Sequence, residues 1–287
     1  MRSVNPRLKS TVTSPDLHEW EPTTFANVMR EIDHLCLACE GSDPIALFRG
    51  HVQHDWILDC KLVREVLKIV YGGEPPYPRP KSFHTKLTDT LLAKFGRWCR
   101  PIPEALAKEV SHGIDPLYEL MKRFQQYSNE DIAQPRGTFL IDWTVDRDVA
   151  LYFSTYDGKS DTCRLRNSAG ALWLFDPIPT GNVLQTKKLN DLLVMMREDN
   201  FRLKLQKTQP LIIHPPKQTH MLRALAQKPV YVSQMDFRCD LADTWAGTEK
   251  EYGRCVFKKI ILAESILADV VKHLKQKGIC ETSVYPD

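Results

Sequence analysis

The segment Thr138 to Phe153, reading TFLIDWTVDRDVALYF, constrains the fold more than any other part of this chain. Phe139, Leu140 and Ile141 form a short continuous apolar run of the kind a buried strand requires. An acid, an indole and a hydroxyl follow in a row at Asp142, Trp143 and Thr144. The period then changes: Val149, Tyr152, Phe153 and Tyr156 stand at i, i+3, i+4 and i+7, the spacing of a helix face. Thr144 is a candidate N-cap, with Asp146 and Asp148 in the first turn, where negative charge is favoured. A strand that delivers polar groups onto a helix N-terminus is a common way to build a site, and a common way to end any strand. The Asp142 carboxylate is expected to be partly buried, and so to need a partner or a chemical role.

A second segment points the same way. Ile45 to Phe48 is another short apolar run, and it ends in Arg49-Gly50, followed by His51, His54, Trp56, Leu58 and Arg64. A guanidinium at the rim of a sheet can make forked bonds to a carboxylate or phosphate. The plainer reading is an exposed strand-end arginine followed by a turn glycine.

Taken together the two segments resemble the FRG domain family. Phe48-Arg49-Gly50, with Trp56, Leu58 and Arg64 downstream, looks like its opening triplet. Leu140-Ile141-Asp142-Trp143-Thr144, with Ala150-Leu151-Tyr152-Phe153 after it, looks like its central "LLDWT…ALYFA" motif. Arg223 and Gln227 match a later "R…AQ" element, and Ser283 to Asp287 matches its "SLFPDL" ending. The landmarks run in order from about residue 45 to the C-terminus. The chain departs from the family in two places. Extra residues separate Phe124-Gln125-Gln126-Tyr127 from Gly137, and Phe139 replaces the arginine of the usual "HG.PTRLLDWT". Lys228-Pro229-Val230 stands where glycine and phenylalanine usually follow the glutamine. A divergent member is the expectation.

A looser resemblance is to ADP-ribosyltransferases, which place an arginine on the first core strand. Later in those chains a strand ends in small hydroxyl residues ahead of a helix reading "…VALKFA". The resemblance implies a split-sheet fold, NAD as substrate, and a transferase or NAD glycohydrolase activity, with a toxin or defence effector among the roles it allows. Carried onto this chain, it makes Asp142, Arg49 and Gln227 the catalytic candidates. Arg49, His51, Trp143, Thr144, Tyr152 and Arg223 become the candidates for holding the cofactor. Cleavage of the nicotinamide–ribose bond builds positive charge on the ribose, which a preplaced carboxylate stabilises. The pyrophosphate wants a guanidinium fork, and nicotinamide wants an aromatic face, for which Trp143 or Tyr152 is the candidate. Gln227 stands where those enzymes carry an acid, so Asp142 would have to supply the charge. Two other classes stay open: a nucleotide-sensing or protein-interaction domain without turnover, and a nuclease using Arg49, His51 and Asp142.

The 287 residues suffice for one large domain or two small ones, and 43% hydrophobic content suffices for a sizeable core. A net charge of +3 gives no case for general nucleic-acid binding. No apolar run approaches the roughly 20 residues that span a bilayer, and the N-terminus shows no hydrophobic signal core. A cytoplasmic protein without membrane contact is expected, with its eight cysteines mostly reduced. Cys36 and Cys39 form a C-x-x-C, but both fall on the apolar stripe of Phe25, Val28, Met29, Ile32 and Leu35, which favours packing over metal binding. His51 and His54 lack the i, i+4 spacing of a zincin pair. No metal is expected.

The remaining signals are mixed. Helices are expected at about 23–39, 86–99 and 116–127, with a last one around Leu267, Val270, Val271 and Leu274 that stops at Gly278. Strands are expected at about 45–49, 170–175, 211–213 and 256–263. Without strict alternation this order favours α+β over a doubly wound sheet. The expected architecture is a mixed central sheet with flanking helices and a helical N-terminal part. Residues 1–22 read as a polar arm. Residues 23–287 read as a single domain with a helical insertion at about 62–130.

Overall fold

The computed structural model describes residues 18–38, 46–71, 77–95, 121, 137–157, 164–165, 168–177, 189–199, 212–213, 222–252 and 255–286. Seven strands form one mixed sheet. In spatial order they are β1 (Glu19–Trp20), β9 (Phe257–Leu262), β6 (Gly170–Phe175), β2 (Leu47–His51), β3 (Leu140–Thr144), β8 (Pro229–Ser233) and β7 (Ile212–Ile213). Only β1 and β9 run parallel; the other pairs in the sheet are antiparallel. A separate two-stranded ribbon pairs β4 (Tyr156–Asp157) with β5 (Arg164–Leu165). The fold is α+β, with helices on both faces of the sheet.

The alternation of strand side chains creates two cores. The six residues of β6, GALWLF, are all buried. Leu172 and Leu174 face a core shared with α1 (Phe25–Ala38), α4 (Arg147–Thr155) and α8 (Glu264–Gln276). Trp173 and Phe175 face the other, shared with α2 (Lys61–Val66), α3 (Lys81–Phe95), α5 (Leu189–Arg197) and α7 (Leu241–Tyr252). In that second core Trp245 stacks on Phe175 at 4.1 Å and meets Trp143 at 5.4 Å. Each such side chain contributes on the order of 1.5–3 kcal/mol by burial, so these aromatics hold α7 to the sheet. Two further helices among the described residues are short: α6 (Leu222–Gln227) and α9 (Glu281–Val284).

The helix after β3 starts two residues later than the sequence suggests. Asp146, not Thr144, is the N-cap of α4: its carboxylate accepts from the N–H groups of Asp148 at 3.0 Å and Val149 at 3.3 Å. Thr144 is the last residue of β3, and its Oγ1 accepts from Asp146 N at 2.9 Å, closing the turn between strand and helix. Burial opposes charge on Asp146, but the Lys228 ammonium at 2.8 Å and the helix N–H groups outweigh it and hold the carboxyl below its usual range. Tyr156 leaves the helix and opens β4, yet still stacks on Tyr152 at 4.9 Å.

Two glycines let α4 lie directly on the sheet. A Cβ on Gly50 would meet Ala150 O at 2.1 Å, and one on Gly170 would meet Ser154 O at the same distance. Both obstacles are backbone, so no side-chain motion relieves them.

Several expectations change. Glu19 and Trp20, read as part of a polar arm, form the edge strand β1. The region read as a helical insertion contributes Phe83, Leu87, Leu91, Leu92 and Phe95 of α3 to the second core. Within it a π-helical turn, Leu67–Tyr71, follows α2. Of the helix expected at 116–127, only the buried Met121 is described. Cys36 is half-buried against the α1-side core, and Cys39 lies outside the described residues. Among the described residues no helix is long and apolar enough to cross a membrane.

Candidate functional site

The sheet is nearly divided between β2 and β3. β2 pairs with β6 at five positions and β3 pairs with β8 at five, but β2 meets β3 at one, Phe48 opposite Thr144. Beyond that pair the strands part, and Arg49 fills the opening. Its Nη1 donates to the Asp142 carbonyl, so a guanidinium N–H becomes the donor to β3 where the ladder stops. Its Nε donates to His51 Nε2 at 2.9 Å. Desolvation lowers the Arg49 pKa to about 10; the nearby Asp142 charge opposes that fall and Arg64 adds to it. The side chain therefore stays cationic at neutral pH.

The opening continues into a cleft of about 250 Å³. Arg49, Asp142, Trp143, Thr144, Arg223 and Gln227 all contribute to its walls. Four elements converge to do this: β2, β3, α4 and α6, with Pro229 and Tyr231 of β8 behind them. Asp142 is exposed rather than partly buried. It points to the open side because the strand alternates and its neighbours Ile141 and Trp143 take the core. It is the one carboxylate among the described lining residues.

Three expected ligand-binding residues take other roles. His51 is 4% exposed and sits behind Arg49 instead of in the cleft wall. Trp173 Nε1 approaches its Nδ1 at 3.2 Å, and a backbone hydrogen bond joins it to Trp56. Burial, then the charges of Arg49, Arg64 and Lys259, drive its pKa well below 6.5. The ring is therefore neutral and has one lone pair to offer. The shorter, charge-assisted contact from Arg49 takes it. His51 thus orients the guanidinium, and it has no free nitrogen to share with the exposed His54 for metal binding. Trp143 is 3% exposed, and its indole packs on Trp245 and Phe175. Tyr152 is 2% exposed, inside the α4-side core. Neither presents a face to a ligand. Of the aromatic residues lining the cleft, Phe48, Trp143 and Tyr231 are buried, and Phe153 is half-buried, with Tyr285 edge-on to it at 5.9 Å.

Gln227 and Thr144 tie the walls together. Thr144 Oγ1 donates to the Gln227 carbonyl at 2.7 Å, and Gln227 Nε2 donates to Val284 O at 3.1 Å. The Gln227 amide therefore anchors the C-terminal segment, a structural duty that its catalytic assignment left out. Arg223 is exposed and lies over the Tyr285 ring at 4.6 Å. Arg223 and Gln227 thus meet the C-terminal residues next to the same cleft as Arg49 and Asp142. What the sequence reading missed was Phe153 as the half-buried ring of the wall and β8 as a wall. The signal for Phe153 was present, since i+4 from Val149 puts it on the rim of the α4 stripe, one residue round from the buried Tyr152.

The cleft offers a fixed guanidinium, a second one on an aromatic face, one exposed carboxylate and the half-buried Phe153 ring. That set suits an anionic ligand with a planar group. No family model, curated protein or solved structure matches the chain.

Proposed function

We propose that this cleft binds a nucleotide and that the chain is an NAD-handling enzyme of ADP-ribosyltransferase type, a transferase or glycohydrolase. The observation that carries the reading is the convergence of Arg49, Asp142, Arg223 and Gln227 on one cleft where the sheet divides. They come from three widely separated stretches of the chain and were singled out by their resemblance to FRG and ADP-ribosyltransferase motifs. In this reading Arg49, held by His51 and the Asp142 carbonyl, takes a phosphate oxygen with its remaining N–H groups. Asp142 faces the ribose and stabilises the positive charge that develops as the nicotinamide bond breaks. Phe153 supplies the apolar face for the base. NAD is then a substrate, and the fold reading is that of a divergent FRG domain.

A second reading is favoured by two specific observations. Gln227 provides no acid and its amide holds Val284, leaving Asp142 as the sole described carboxylate of the wall. A cleft of about 250 Å³ is also below the roughly 300–1,000 Å³ of pockets that engulf drug-sized ligands. Both suit a nucleotide sensor that binds without turnover. Incubating the protein with NAD and following nicotinamide by chromatography separates the two. Release supports the enzyme; saturable NAD binding without release supports the sensor. Neither release nor binding would end both readings.

A further inference from the structure

At the β1–β9 edge of the sheet, away from the cleft, three ligand-type side chains from three elements meet. His18 precedes β1, Glu249 lies in the last turns of α7, and Cys255 precedes β9. Their ligating atoms all lie within 4.8 Å of one another. His18 Nε2 is 2.7 Å from Glu249 Oε2.

The Glu249 carboxylate and the His18 backbone are already held. Glu249 Oε1 accepts from the N–H groups of Val256 at 2.6 Å and Phe257 at 3.1 Å, which fixes the carboxylate and turns Oε2 toward His18. The His18 carbonyl accepts from Lys259 N at 2.6 Å, and its ring packs against Phe257 at 4.5 Å. Its Nδ1 is buried without a partner among the described residues, so the nitrogen in use is the one facing the carboxylate. Cys255 is exposed, which leaves a route in from solvent. A carboxylate ligand oriented by outer hydrogen bonds, beside an imidazole and a thiol, is the arrangement that metal sites use.

We propose that His18, Glu249 and Cys255 bind one divalent metal ion of the zinc class. One nitrogen, one oxygen and one sulfur suit Zn²⁺ or Co²⁺, whereas Mg²⁺ and Ca²⁺ prefer oxygens alone. Metal–ligand bonds of about 2.0–2.3 Å in a tetrahedron put ligand atoms about 3.3–3.7 Å apart. The His18–Glu249 contact would open by about 0.6 Å and no pair would have to close by more than about 1.2 Å, both within reach of side-chain rotation. On binding, Cys255 gives up its S–H proton to solvent as the thiolate–metal bond forms. A solvent molecule takes the fourth position. The ion would join β1, held by two residue pairs, to α7 and β9.

The proposal is tested on the full chain, stripped with chelator and titrated with Zn²⁺ against a chromophoric competitor. The expected result is one equivalent bound with a micromolar or tighter dissociation constant. His18→Ala and Cys255→Ala weaken it about 100-fold or more, beyond what loss of an outer contact does. Co²⁺ gives a thiolate charge-transfer band that Cys255→Ala abolishes and Cys36→Ala keeps. Adding Zn²⁺ to the stripped wild type raises the melting temperature by a few degrees. Glu249→Gln keeps the acceptor for the two backbone N–H groups and so remains folded while losing affinity. No bound equivalent, or the same affinity in His18→Ala and Cys255→Ala, overturns the site and leaves His18–Glu249 as an ion pair only.

Discussion

Gly50→Ala is the sharpest test of how β2 and α4 are joined. The added methyl would sit 2.1 Å from Ala150 O, 2.5 Å from Ser154 N and 2.7 Å from the Phe153 carbonyl carbon. All three are backbone atoms of α4, so relief requires moving the helix from the sheet by about 1 Å or more, an overpacking cost of about 3 kcal/mol or more. α4 carries Ala150, Leu151 and Tyr152 into the core, so the shift would loosen packing well beyond the contact itself. For a chain of this size that corresponds to a melting temperature lower by roughly 5–10 °C. Gly247→Ala is the internal control. Gly247 lies within α7, and an added Cβ there meets nothing within 4 Å. It should gain about 0.5–1 kcal/mol from helix propensity alone. Calorimetry or fluorescence-monitored melting of both variants decides the matter. A Gly50→Ala protein that melts with the wild type would refute the close approach of helix and strand.

Other expectations follow from buried polar groups. Arg79 forks onto Asp59 with both side chains buried, and Asp59 also accepts from Gln234 Nε2 at 2.7 Å. Arg79→Met strands a buried carboxylate and should cost about 3–5 kcal/mol in denaturant unfolding; a loss under 1 kcal/mol would contradict the pairing. Burial, then the charges of Asp243 and Asp59, raise Asp240 from 3.8 to about 7. The native state therefore holds its proton longer than the unfolded state, and this group lowers stability as pH rises from about 4 to about 7. Asp240→Asn retains an acceptor for Asp243 N and should stabilise the protein at pH 8 but not at pH 3, by on the order of 1 kcal/mol or more; equal effects at both would refute it. His51, held neutral, works in the other direction, its stability being present above its usual 6.5 and lost as pH falls below. His51→Leu removes the acceptor for Arg49 Nε and should cost about 1–3 kcal/mol at pH 8, with a smaller difference from wild type at pH 5.

Much of the architecture was legible because it is written in period. The apolar run Gly170–Phe175 and the stripe Leu267, Val270, Val271, Leu274 were both legible, and β6 and α8 follow them, with Ile266 rather than Val271 in the buried face. β8 was missed because it is five residues long and opens on a proline, which a strand tolerates at its first residue. α7 was missed because Leu241 and Trp245 are its main core residues within a polar helix. Asp142, Arg49, Arg223 and Gln227 could be named from sequence. Phe153 was overlooked because its signal, a place at the rim of the α4 stripe beside the buried Tyr152, is a matter of one residue round the helix. The cluster of His18, Glu249 and Cys255 spans most of the chain, and only the pairing of β1 with β9 brings it together.

The most direct test of the proposed function is nicotinamide release from NAD by wild type and Asp142→Asn, measured beside their melting temperatures. Because the Asp142 side chain is exposed, removing its charge, which also supports the Arg49 cation, should lower the melting temperature by no more than a few degrees. Removing the only described carboxylate of the cleft should slow release by about 10²-fold or more. Wild-type protein that releases no nicotinamide, or an Asn variant that releases it at the wild-type rate, would contradict the account.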